Sequence, residues 1–405
     1  MRGWGLLVLL FACCGNPAAA EYRLARTLVL DPKTIADQRA AYRAGDKGFQ
    51  AGVRSLRAEA ERALRAQPLS VTQKLAAAPS GDKHDYLSHA PYFWPNPARH
   101  DGLPYVRRDG EQNPEALLVP DHSNLERLIK SVSALALAAY FVGEPAYAAH
   151  AQRLVRVWFL DPATRMNPNL NYAQLIKGER QGNPAGIIET HLLPVLVDAL
   201  ALLAESNAWS AREDEEMKRW CDSYLRWLRE SANGRREAQA TNNHGTWYDA
   251  QVSTLALFLG NDDSPRAVLQ ASKNRRIALQ VAPDGRQPEE LKRTRSLSYS
   301  LFNLEGLFTL AALGERLGID LWTFRATDGR SLRGAFEFLL PALTGQQKWP
   351  YAQITHVDPS QYAPFVYQAA RQYREPRYRL AYEQLEPGAT EKSKAALLYG
   401  DIQSK

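Results

Sequence analysis

Apolar residues recur at three- and four-residue steps through most of this chain, and that periodicity leaves few folds open. Val252, Leu255, Ala256 and Leu259, for example, would share one stripe of a helix, and sustained strand-like alternation is missing. The pattern predicts helices over about 34–66, 123–142, 146–160, 186–205, 211–231, 243–260, 264–280, 296–316, 331–344 and 360–386. Ser123-Asn124-Leu125-Glu126 and Ser210-Ala211-Arg212-Glu213 read as capping boxes. Ser264-Pro265 reads as an N-cap before a first-turn proline, and Asn233-Gly234 and Gly260-Asn261 as stop signals. Short links between the helices imply antiparallel hairpins. No fixed repeat of about 34 or 40 residues appears, which disfavours a regular solenoid. The expected fold is all-α: an incomplete (α/α)n toroid of antiparallel helical hairpins with long cleft-forming loops, in one domain over 21–405. A large irregular bundle is the alternative.

Two stretches break the helical pattern. Residues 79–122 carry Asp85-Tyr86-Leu87-Ser88 and Pro91-Tyr92-Phe93-Trp94-Pro95-Asn96-Pro97, and residues 161–185 carry Asn171-Tyr172-Ala173-Gln174. Loops this long inside a compact domain are functional or disordered, and their aromatic content argues against disorder. The chain holds 18 Tyr and 9 Trp, side chains that fill cores and also stack on sugar faces.

The N-terminus reads as a signal peptide over 1–20. Arg2 is followed by the apolar run Leu6 to Ala12 and by Ala18-Ala19-Ala20 before Glu21. Export to the periplasm or medium is therefore expected, with lipid anchoring at Cys13 as a weaker option and no stable membrane insertion. Removal of that segment takes Cys13 and Cys14 away, so only Cys221 remains and no internal disulfide can form. The formal net charge of +6 suits an acidic ligand. No basic stretch with interleaved aromatics points to nucleic acid. His84, His89 and His122 lack metal-ligand spacing, so neither a metal nor another cofactor is expected. Oligomeric state is not readable.

Two clusters carry chemistry. Thr241-Asn242-Asn243-His244-Gly245-Thr246-Trp247-Tyr248 leads into an apolar helical run, which puts Asn243 and His244 in a first turn where backbone donors favour anions. An N-cap asparagine followed by a core histidine would give the same sequence. Glu289-Glu290-Leu291-Lys292-Arg293-Thr294-Arg295-Ser296-Leu297-Ser298-Tyr299 places cations just before a helix, against its dipole. A solvated charged turn would also account for it.

Together with Gly102-Leu103-Pro104-Tyr105, Arg107-Arg108-Asp109-Gly110 and Trp349-Pro350-Tyr351, these pieces resemble the alginate-lyase-like superfamily of polysaccharide lyases over roughly 80–355. The resemblance implies an α/α toroid with a substrate cleft and a metal-independent β-elimination on a 4-O-linked uronate polymer, with mannuronate-rich alginate expected and glucuronan the alternative. It implies Asn243, His244, Arg293 and Tyr299 as catalytic residues. In better-known members the arginine-to-tyrosine spacing is one residue longer, which would fall on Lys292, and Arg295 is a further candidate cation. Tyr92, Trp94, Tyr172, Gln174 and Arg295 are the expected substrate contacts.

The chemistry explains the residue types. Removing the proton at C5 builds negative charge beside a carboxylate, which hydrogen-bond donors or cations must offset. A base must reach C5 and an acid must protonate the departing O4. Tyr299 is the expected acid, and the base is Tyr299 or His244. Tyr299 would need neighbouring cations to ionise, and the adjacent arginines could supply them. A glycoside hydrolase would instead need two facing carboxyl groups, for which Glu189 and Asp249 are the candidates, while a non-catalytic sugar-binding protein could dispense with His244 and Tyr299. His191 reads as a satisfied helix residue.

Overall fold

The computed structural model describes residues 24–387 and 393–402; the expected signal peptide lies outside them. In chain order the helices are α1 (Pro32–Arg43), α2 (Gln50–Ala63), α3 (Asp121–Val142), α4 (Pro145–Val155), α5 (Leu193–Leu203), α6 (Ala211–Glu230), α7 (Ala232–Ala238), α8 (Asn243–Phe258), α9 (Asp263–Ser272), α10 (Pro288–Leu291), α11 (Ser296–Arg316), α12 (Leu332–Leu343), α13 (Ala363–Tyr373), α14 (Pro376–Leu385) and α15 (Lys394–Tyr399). Helices that are apolar on every side must sit inside. α5, α8 and α11 are buried around most of their circumference. α6, by contrast, buries one face through Met217, Trp220, Cys221, Tyr224, Leu225 and Leu228.

The inner helices form a ring of neighbours. α2 packs on α3, α3 on α5, α5 on α8 and α8 on α11. Phe308 of α11 meets Phe365 of α13 with ring centroids 4.5 Å apart. α13 packs on α15, which returns to α1 and α2. The chain therefore adopts the all-α toroid that its periodicity predicts. Four short strands, β1 (Leu87–His89), β2 (Phe93–Trp94), β3 (Val106–Arg107) and β4 (Tyr172–Leu175), lie in the two long non-helical stretches. β1 pairs with β4 in parallel, and β2 with β3 antiparallel.

Several local expectations need correction. The helix expected over 34–66 breaks where Gly45 turns to φ 92°, and that over 360–386 breaks where Arg374 takes φ 54° ahead of Pro376. Asn233-Gly234 does not stop a helix, because Ser231 caps α7 across it. The Ser210 capping box forms. The one expected at Ser123 does not: α3 starts at Asp121, and Ser123 donates back to the Pro120 carbonyl. Ser264, expected to be a cap, is likewise inside α9, two residues past the N-cap Asp262. Against the expectation that no stretch after the N-terminal segment is long and uncharged enough to span a membrane, Pro184–Leu203 reaches that length and apolarity, but 78% of its apolar window is buried inside the fold.

α8 is shared between two cores. Tyr248, Val252, Leu255 and Ala256 face one, and Trp247 and Ala250 face the other. α8 and α11 approach closely at Gly306, where an added Cβ would lie 2.9 Å from Thr246 Cγ2 and 3.1 Å from the Trp247 ring. A side chain there would push apart the two helices whose first turns carry His244 and Tyr299. Gly306→Val should cost about 1–3 kcal/mol by overpacking, read as a lower thermal midpoint together with reduced turnover. An unchanged midpoint would show that the contact is slack.

Candidate active site

The first turn of α8 is fixed by acceptors placed around it. Asn242 is the N-cap, its side chain accepting from the His244 N–H at 3.3 Å. Glu290 accepts from the Asn243 backbone N–H and from its Nδ2, both at 2.7 Å, a carboxylate where the helix dipole favours one. Burial pushes the Glu290 carboxyl above its ordinary value against those donors. Asn243 is only 1% exposed, and its Oδ1 is buried without a partner. One hydrogen of its amide is committed to Glu290, and the second is left over.

His244 Nδ1 lies 2.6 Å from Glu237 Oε1, and the Glu237 side chain is 5% exposed. A carboxylate accepts, so Nδ1 carries the hydrogen, and Nε2 has no protein partner among the described residues. The chain just after Glu237 is held by Arg276, which donates to the Ala238 and Ala240 carbonyls and to the Asp249 carboxylate. Gly245 makes room for this clamp, since a Cβ would lie 2.3 Å from Arg276 Nη1.

The first turn of α11 is capped from outside. Gln353 Oε1 accepts from the Leu297 and Ser298 N–H groups at 3.0 and 3.3 Å, and Trp349 Nε1 donates to Ser296 Oγ. Tyr299 projects from this turn, its hydroxyl donating to that of Tyr92 at 2.9 Å. Burial, then Tyr92, raise the Tyr299 hydroxyl well above its ordinary value, and the opposing pull of Arg293 does not overcome them. That direction favours Tyr299 as a proton donor.

The arginines divide. Arg293 lies 3.8 Å from the Tyr299 ring centre and is paired with Asp109 through Nε and Nη2 at 2.9 and 2.8 Å. Asp109 also accepts from Thr294, and Gly110 lets the loop close, since a Cβ there would meet Thr294 Oγ1 at 2.2 Å. Burial alone would raise the Asp109 carboxyl, but Arg293 and Thr294 hold it far below the usual range. Arg295 has no carboxylate partner among the described residues. Its Nε is buried without an acceptor, and its guanidinium lies 5.5 Å from the Tyr92 ring.

The remaining expected contacts lie on the strands. Trp94 is braced by its Nε1 bond to the Glu111 carbonyl and by Arg108 over its ring. Tyr172 packs on the small cluster of Leu87, Val119 and Leu175. Gln174 is half-exposed and sits at φ 46°. Of the carboxylates a hydrolase would use, Asp249 pairs with Arg276 and Glu189 accepts from Tyr86 and Ser88. Both are buried and engaged. His191 bonds the Ile188 carbonyl between Trp247 and Phe302, and burial lowers its pKa to about 4.

The model of the alginate lyase family matches residues 70–349, more than half the chain. The chain belongs to the alginate lyase family. An alginate lyase from Bacteroides ovatus, solved at 1.60 Å, is 35% identical, covers 93% of this chain and 99% of its own, and superposes with a TM-score of 0.86. Alginate lyase A1-III from Sphingomonas species A1 shares the fold at 17% identity and a TM-score of 0.58, over 93% of this chain and 97% of that one. A tetrasaccharide-bound variant of A1-III gives 15% and 0.60, over 95% and 98%. No curated protein sequence matches the chain. The family likeness makes this protein a polysaccharide lyase.

Glu237 was not singled out in the sequence, and Asp109 and Glu290 were quoted only inside longer motifs. A carboxylate seven residues before a histidine carries no signature, because the kink between α7 and α8 brings them together. Glu237→Gln keeps the shape but weakens a charge-assisted bond worth about 1.5–3 kcal/mol. Turnover by this lyase should fall roughly 10–100-fold with the circular-dichroism spectrum unchanged. Undiminished turnover would remove Glu237 from the site.

Proposed function

We propose that this lyase cleaves alginate by β-elimination without a metal ion, with the reacting uronate held between Tyr299 and His244. The observation that carries the reading is the division of labour among the charged groups. Arg293 is neutralised by Asp109, whereas Arg295 stands beside the Tyr92–Tyr299 pair with no carboxylate partner among the described residues. A uronate carboxylate supplies the missing anion. Arg295 is therefore assigned the substrate carboxylate, Arg293 the role of a fixed cation against the Tyr299 ring, and Asn243 the fixing of the α8 first turn against Glu290.

His244 Nε2 takes the C5 proton, the electron pair left at C5 becomes the C4=C5 double bond, and the C4–O4 bond breaks. Tyr299 gives its proton to O4, which leaves as a hydroxyl. The Tyr92 hydroxyl, already bonded to that of Tyr299, is placed to return a proton from solvent. The positive charge that stabilises the intermediate comes from arginine, held in place before the substrate arrives.

Wild-type protein should generate the ultraviolet absorbance of a conjugated unsaturated uronate from alginate, and the rate should persist in EDTA. Tyr299→Phe should lower turnover by ~10²–10⁴-fold without loss of folded protein, and Arg295→Ala should raise KM more than Arg293→Lys does. Activity on glucuronan with none on alginate would overturn the substrate assignment. A loss in EDTA that one cation restores would overturn the metal-free chemistry. If His244→Ala retained turnover, the base would have to be reassigned to Tyr299.

A further inference from the structure

Gln174 is held in a conformation that side chains other than glycine resist. Its φ of 46° places it in the left-handed region, where Cβ crowds the backbone, and such residues persist only where their surroundings over-determine them. Those surroundings are specific. The Gln174 N–H donates to Ser88 Oγ at 2.8 Å. Ser88 in turn donates to Glu189 Oε2 at 2.7 Å, and Tyr86 donates to the same oxygen at 2.6 Å. Ser88, Tyr86 and Glu189 are 2%, 0% and 3% exposed, so the relay is sealed from water. From behind, Gly182 and Gly186 press on the neighbouring Ala173 so closely that a Cβ on either would lie 2.6 Å from an Ala173 atom. The Asp85-Tyr86-Leu87-Ser88 motif thus has a purpose that the reaction chemistry does not require.

The position of β4 says what is being aimed. Its partner β1 runs on through Ala90 and Pro91 to Tyr92, which meets Tyr299. On its other side β4 rests on the 3-10 turn Pro184–Thr190, which packs against α7 and α8, the helices of Glu237 and His244. β4, which carries Gln174, is thus tied to the Tyr92 side through β1 and to the His244 side through the 3-10 turn. Its side chain is half-exposed, and its amide makes no hydrogen bond within the protein among the described residues. We propose that Glu189 and Ser88 are positioning residues that fix Gln174 in this left-handed turn, so that its amide hydrogen-bonds the uronate lying between Tyr299 and His244. The inference rests on the lyase site proposed above and adds the residues that position Gln174, a contact the sequence already leads one to expect.

The test is a double-mutant cycle on the wild-type background, reading kcat, KM and thermal midpoint on alginate. Gln174→Ala should lower kcat/KM about tenfold, the loss of one well-placed hydrogen bond. Gln174→Gly should lose as much while its thermal midpoint holds or rises, because glycine accepts φ above zero without crowding. A purely structural residue would not combine those two results. Ser88→Ala should resemble Gln174→Ala, and the double variant should be no worse than either single one. Glu189→Gln, which presents an amide to two hydroxyl donors, should fall in the same non-additive group. Additive losses, or full kcat/KM in Gln174→Gly, would overturn the proposal. Gln174→Gly alone decides the matter if Ser88→Ala fails to fold. Wild-type activity confined to glucuronan would instead overturn the alginate assignment, and the cycle would then be read on glucuronan.

Discussion

The architecture depends on α8, a helix with no face left for solvent. Because Tyr248, Val252 and Leu255 belong to one core while Trp247 and Ala250 belong to the other, the helix cannot shift without opening both. Its N-terminus is anchored where Glu290 accepts two hydrogen bonds from Asn243. His244 thereby inherits the rigidity of the whole ring. Gly306 of α11 allows the second functional helix to close on the first. A flexible loop could present the same side chains but would lose orientation, and small misplacements of reacting groups are costly in rate.

Around that helix, carboxylates serve as framework, and in the proposed reaction arginine meets the substrate. Glu290 holds the start of α8, Glu237 holds His244, Asp109 holds Arg293 and closes the aromatic loop onto α11, and Glu189 holds Ser88 beneath Gln174. Each acid has its own donors, as buried charges require. What is left over is cationic: Arg295, without a carboxylate partner among the described residues. An acidic polymer entering such a site meets an unbalanced positive charge, which is a stronger argument for a polyanionic substrate than the net charge of the chain. The low-lying carboxyl of Asp109 keeps its clasp charged at neutral pH. Its contribution to stability is lost only as the pH falls below the ordinary carboxylate range.

Much of this was legible in the sequence because helices announce themselves locally. The apolar period gave the inner helices, the Ser210 capping box gave the start of α6, and Asn242-Asn243-His244 stood where a first turn had to begin. Boundaries failed where backbone conformation overrode periodicity, at Gly45 and Arg374, and at Asn233-Gly234, where Ser231 recaps the chain. The site was harder to read because its logic is long-range. Asp109 and Arg293 are 184 positions apart, and Tyr92 and Tyr299 are 207 apart. No spacing rule links such partners. The choice between Arg293 and Arg295 was open in the sequence for the same reason: what separates them is a carboxylate from a distant loop.

Elimination, with the hydrogen leaving from C5, is tested most directly by digesting alginate in heavy-oxygen water and weighing the fragments. It predicts new non-reducing ends that carry a C4=C5 double bond, with no solvent oxygen built in at the cleavage point. Saturated new ends, with one water added and the heavy oxygen at the broken linkage, would contradict it.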